Sequence, residues 1–320
     1  MTRTLTLALA GALSLSAVSA SAQSDAPATP PAEPAPAEPA PATDQLPEED
    51  LDVIVVTGES EREVVETLGK AITRTTRAGR PVARFEAPLC VKVSGMPDGM
   101  ADVVRERIYD NVRSLRGLSV DEDADCDPNA FVGVMNDVTE AVDRLRKEEA
   151  WLFEGLLSYQ IKRIYQGSDA VRAWHVFNLL NRDGTAIPGA RPGNDRDIGS
   201  LINNTGRASR LSQLRNDLSG AVVLIETAAL ADVTFRQMAD YATFRILASV
   251  SDEVDTSQTS LPTILTLFGP GSAKQNAPRD LTEFDKAYLE SLYELPRGSR
   301  DGQVVAAAVS RFIDQLEAED

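Results

Sequence analysis

The chain has 320 residues, enough for one large domain or two small ones, and its 42% hydrophobic content supports a packed core. Forty-nine acidic residues against 32 Lys and Arg give a formal charge of −17, which repels nucleic-acid phosphates and anionic membrane surfaces. A single histidine excludes zinc sites built on several imidazoles.

Residues 1–22 carry Arg3, an apolar run from Leu5 to Leu15, and then Ala20-Ser21-Ala22. That order reads as a secretory signal ending in a small-x-small cleavage site. The run is too short to span a bilayer and no cysteine follows it to take a lipid, so a soluble periplasmic or secreted protein is expected. Residues 23–50 are dominated by Pro, Ala and acids, a composition that favours a disordered polyproline II spacer.

Residues 51–59, LDVIVVTGE, form a strand-prone segment in which Val53, Ile54, Val55 and Val56 could pair with the sheet edge of an envelope partner. The segment resembles the one near the start of the plug of TonB-dependent outer-membrane receptors, where a similar run pairs with TonB. No barrel sequence follows it. Residues 60–79 read as an amphipathic helix with Val64, Val65, Leu68 and Ile72 on one side.

Beyond residue 80 the predicted elements alternate: a strand over Leu89–Val93, a helix over Ala101–Leu115, a strand over Asn129–Met135 and a helix over Thr139–Leu152. This order implies a small α/β layer. Cys90 and Cys126 bracket it. An even pair in an oxidising compartment predicts a disulfide, while the redox or metal reading lacks CxxC spacing.

A strand follows over Ala170–Leu180 and contains the one histidine, His175, placed by alternation on the face opposite Trp174. A structural hydrogen-bonding role is expected for it. Residues 184–200 make a long polar surface loop, and residues 200–218 have no clear pattern. Ala221–Ile225 is a continuous apolar run of the kind buried on both faces of a sheet.

Thr234 is then an N-cap, with Gln237 completing a capping box and Val233 and Met238 a hydrophobic staple. The helix that follows is mostly apolar, with Arg236, Asp240 and Thr243 as its polar stripe. A polar connector spans residues 251–260, LPTILTLF is a short apolar element, and residues 268–278 form a second contact loop. Two last helices are expected over Thr282–Glu294 and Gln303–Glu317.

Motifs that carry chemistry are few. HExxH, GxSxG, SxxK with KTG and glycine-rich phosphate loops are all missing. Acidic runs occur at Asp121, Glu122, Asp123 and Asp125 and again at Asp252, Glu253 and Asp255, and both read as solvated surface. The first has alternate oxygen ligands, as in a calcium loop, but lacks the glycine and distal glutamate of an EF-hand. Paired carboxylates can do acid and base work without histidine, which makes Glu226, Asp240 and Tyr241, near one end of the central elements, the candidate catalytic set.

Through ARFEAPLCVKVSG, the AWHV strand, TFRQMADYATF and DLTEFDKAYLESLY, residues 81–301 resemble a family of uncharacterised exported proteins of alphaproteobacteria, which brings no activity with it. The second half also resembles the catalytic half of metzincin-like peptidases, with a strand, a core helix, a connector, a short turn and a helix patterned like DLTxxDxxxLxxLY. The resemblance implies a zincin-like scaffold in which Gln237, Met238 and Tyr241 stand where the two His ligands and the Glu base would be. Such side chains cannot hold or work a catalytic zinc.

The expected fold is therefore α+β: a disulfide-bearing α/β layer, then a zincin-like lobe, in a domain over residues 81–320 divided near residue 150. Neither cofactor nor metal is expected. The expected function is binding or scaffolding in the cell envelope, with a carboxylate hydrolase on a degenerate metallopeptidase-like scaffold as the alternative.

Overall fold

The computed structural model describes residues 60–74, 80–167, 169–187, 214–251, 259–269 and 274–319. The secretory-signal reading, the Pro/Ala-rich segment, Val53–Val56, most of the 184–200 loop and Asp252, Glu253 and Asp255 lie outside them.

The described residues form an α+β fold of seven α-helices and one four-stranded sheet. Helix α1 is Glu61–Ile72 and strand β1 Val91–Ser94; α2 (Asp98–Arg113) leads to β2 (Ala130–Met135). Helices α3 (Val138–Glu148) and α4 (Ser158–Gln166) precede β3 (Val171–Asn181) and β4 (Leu214–Glu226). Helices α5 (Phe235–Leu247), α6 (Glu283–Glu294) and α7 (Asp301–Glu319) complete the chain.

The strand order is β1-β2-β4-β3. Strands β1, β2 and β4 are parallel, and β3 lies antiparallel on the outer edge of β4. Val132 of β2 is paired with Val93 on one side and with Val223 of β4 on the other. Strands from before and after residue 150 thus share one sheet, and residues Val56–Asp320 form one compact unit.

Alternation along β4 decides where the two cores lie. Ala221, Val223 and Ile225 enter a large cluster with residues of α1, α2, α5, α6 and α7. Val222 and Leu224 point to the opposite face and join Val138, Val142, Leu152, Ile164, Trp174 and Val176. Each of these fully buried branched side chains contributes about 1.5–3 kcal/mol.

Several element bounds differ from the sequence expectation. Helix α1 stops at Ile72, because Thr73 leaves the helical path to bridge Val250 and its hydroxyl pairs with Tyr288. Helix α2 begins three residues early, at Asp98 behind Pro97, whose fixed φ suits a helix entry. The helix expected to run through Leu152 ends at Glu148; a 3-10 turn over Ala150–Phe153 then buries Leu152 completely and gives its carbonyl to the Trp174 indole N–H. Helix α4 was not foreseen: its polar residues outnumber its one buried side chain, Ile164. Strand β4 starts at Leu214, inside the stretch that showed no pattern, since its polar first half is paired with β3 and bridged by Arg84.

The expected disulfide is present. Cys90 and Cys126 join with their Cα atoms 6.1 Å apart, fastening the acidic loop to the start of β1. Among the described residues no helix is long and apolar enough to cross a membrane.

Candidate functional site

Asp240 occupies the second turn of α5, a helix started where its capping box requires: Thr234 Oγ1 accepts from the Gln237 amide at 3.1 Å, and Gln237 Oε1 accepts from the Thr234 amide at 3.1 Å. The expected polar stripe does not face water. Arg236 is exposed, but Asp240 and Thr243 are fully buried in the seam with α2. Tertiary packing overrides the helical pattern there because α2 brings polar partners to the seam.

Those partners use up the carboxylate. Arg107 grips it with two prongs, Nε on Oδ1 at 2.7 Å and Nη2 on Oδ2 at 2.9 Å. Asn111 Nδ2 adds a bond to Oδ1 at 2.7 Å and the Leu281 amide one to Oδ2 at 3.1 Å. Asn111 Nδ2 also reaches Thr243 Oγ1 at 3.0 Å, and that hydroxyl donates to the Ala239 carbonyl. Four donors on two buried oxygens satisfy a carboxylate's ordinary capacity, so Asp240 ties α2, α5 and the approach to α6 together.

The other two members of the candidate set have contacts of their own. Glu226 ends β4, its amide bonded to the Ala170 carbonyl. Tyr241 is buried with its ring set edge-on to Phe268, centroids 4.7 Å apart. No hydrogen bond or ion pair among the described residues joins Glu226, Asp240 and Tyr241 to one another.

The positions that would carry zinc in the metzincin-like alignment are committed to packing. Gln237 is spent on its cap and on the Pro278 carbonyl, to which its Nε2 donates at 3.0 Å. Met238 is 1% exposed within the large core. Among the described residues no group of three or more His, Cys, Asp and Glu is arranged to hold a metal.

His175 lies on the face opposite Trp174, as alternation implies. Its Nε2–H donates to the Ile246 carbonyl of α5 at 3.0 Å, while the Trp174 indole serves the other core. Burial, with the positive charges of Arg74 and Arg245 behind it, pushes the imidazole down to about 3. It is a neutral structural ring at any ordinary pH.

The acidic loop carboxylates serve their own backbone. Asp121 accepts from the Asp123 amide at 3.1 Å and Asp123 from the Asp125 amide at 3.0 Å, while Glu122 pairs with Arg113 at 3.1 Å. In the second contact loop, Lys274 Nζ donates to the Ala229 carbonyl at 2.6 Å.

A second fully buried carboxylate, Asp285, is absent from the candidate set. It is the N3 residue of α6, and the Thr282-x-x-Asp285 spacing of a capping box was its only local signal. Its Oδ1 accepts from Thr263 Oγ1 at 2.6 Å, and its Oδ2 from the amides of Ile264 at 2.8 Å and Thr282 at 3.0 Å. Burial pushes this carboxyl up to about 6, against the pull of those donors.

Comparison with family models, with curated proteins and with solved structures returns no match to this chain.

Proposed function

We propose that the chain is an exported cell-envelope protein that acts by binding or scaffolding rather than by catalysis. The observation that carries this reading is the saturation of Asp240, the best-placed carboxylate for acid and base work, whose two oxygens are spent on Arg107, Asn111 and the Leu281 amide. A general base needs a free lone pair within reach of its substrate.

The scaffold reading draws on element order. Strand β4, helix α5, a 3-10 turn over Ile264–Phe268 and helix α6 follow one another as the metzincin-like resemblance implies, with Gln237, Met238 and Tyr241 packed inside. Export rests on the first 22 residues and agrees with the Cys90–Cys126 disulfide, a bond that persists in oxidising compartments. Contacts with a partner would run through Val53–Val56 or through the loops at 184–200 and 268–278.

Native mass spectrometry and elemental analysis of the protein recovered from the periplasm test this. The expected result is a disulfide-bonded chain beginning at Gln23, with no stoichiometric metal or small molecule. A stoichiometric metal, or a retained compound that the protein turns over, would overturn it in favour of the carboxylate hydrolase.

A further inference from the structure

Strand β3 lies outside β4, and among the described residues no further strand pairs with it. Alternation fixes which of its peptide groups face outward. The Glu226 amide donates to the Ala170 carbonyl, so the even-numbered residues up to Val176 bond to β4. Past the irregularity at Val176–Phe177, Leu218 stands opposite Phe177 but donates away from β3, to the Arg84 carbonyl. Val171, Ala173, His175, Phe177 and Leu179 therefore all turn their N–H and C=O groups outward. At the far end the rim already takes an antiparallel neighbour, where the Asn181 amide donates to the Thr185 carbonyl and Leu180 bridges Ala186.

Both faces of this strand are covered. Trp174 and Val176 are buried in the smaller core, and His175 is buried against the Ile246 carbonyl of α5. What is left to bind is backbone, and backbone fits an extended chain. The opposite edge of the sheet is guarded: β1 has four residues and an exposed Lys92, and Leu89 before it is bridged by Val120 of the loop that Cys126 fastens. Charges, prolines and short length keep an edge from pairing. From Ala173 to Leu180 there is no Lys, Arg, Asp, Glu or Pro.

We propose that the outer edge of β3 pairs antiparallel with the β3 edge of a second copy of this chain, joining two sheets into one. This does not depend on the function proposed above. A chain of formal charge −17 repels its own copies over most of its surface. Across Ala173–Leu180 two copies meet without setting like charges opposite, and a two-fold axis there gives each outward donor an acceptor.

Sedimentation velocity of the intact protein over a range of concentrations tests this, with hydrogen exchange on the same samples. Wild type is expected to dimerise, and its Ala173, His175 and Phe177 amides to exchange more slowly as the dimer fills. Ala173→Pro removes one outward amide and leaves the Arg172 and Trp174 bonds to β4 in place. It should weaken the dimer at least about tenfold. Should Ala173→Pro not fold, Leu179→Lys decides, since it sets a charge on the rim at a residue that joins neither core cluster. A monomer at every concentration, a dimer that both variants keep, or outward amides protected equally in the monomer would each overturn the proposal.

Discussion

Arg107 on α2 and Asp240 on α5 meet as a two-pronged ion pair, Nε to Oδ1 at 2.7 Å and Nη2 to Oδ2 at 2.9 Å, with the aspartate wholly buried and the arginine a quarter exposed. Removing one partner of a buried pair leaves an uncompensated charge, which costs about 3–5 kcal/mol. Asp240→Ala is expected to fall near the lower figure because water reaches Arg107. Denaturant midpoints measure it; a variant with wild-type stability but a lost activity would return Asp240 to the catalytic reading.

The pH dependence of stability carries two opposed contributions. His175 is depressed to about 3 in the fold, so its contribution is complete above its unfolded value near 6.5 and is lost as pH falls toward 3. Asp285 is raised to about 6, so its contribution is complete below its unfolded value near 4 and is lost as pH rises through 6. Between pH 4 and 6 each slope is about 1.4 kcal/mol per unit, with opposite sign. Relative to wild type, His175→Asn should become less stable as pH rises across this window and Asp285→Asn more stable, as read from urea unfolding at each pH.

The Cys90–Cys126 bridge spans 36 residues of sequence. In the chain-entropy model, opening a loop of that length costs about 4 kcal/mol. The double Cys→Ser variant should unfold at correspondingly lower denaturant, and an unchanged midpoint would mean that the acidic loop is held without the bond.

Two neighbouring glycines should respond in opposite ways to alanine. Gly95 has φ +83°, and a Cβ there would lie 1.9 Å from the Val134 carbonyl oxygen. Gly95→Ala is expected to cost more than about 3 kcal/mol, since backbone must move. Gly99, in the first turn of α2, has nothing within 4 Å of its would-be Cβ. Gly99→Ala should stabilise by about 0.5 kcal/mol, and thermal melts of the pair decide both.

What could be read before folding was local. The α5 start was legible because a capping box needs only Thr234 and Gln237, and β4's buried half because five apolar residues in a row have few other uses. The fate of Asp240 was not legible, since its clamp comes from Arg107 and Asn111, 133 and 129 residues away in sequence. Asp285 was hidden in the same way: its capping spacing could be seen, but not the approach of Thr263 and Ile264 from 22 and 21 residues before it. Helix α4 escaped because Leu157 offers no side-chain cap.

The packing of the first helix on the last also governs when this chain can fold. Gly69 of α1 sits so close to Val305 of α7 that an added Cβ would lie 3.1 Å from its Cγ1, and Val65, Leu68 and Ile72 share one core cluster with Val304, Val305, Ala308 and Val309. Helix α1 thus waits for α7, more than 200 residues further along the sequence, before its apolar side is covered. A chain built this way closes in a late step that joins elements far apart in sequence.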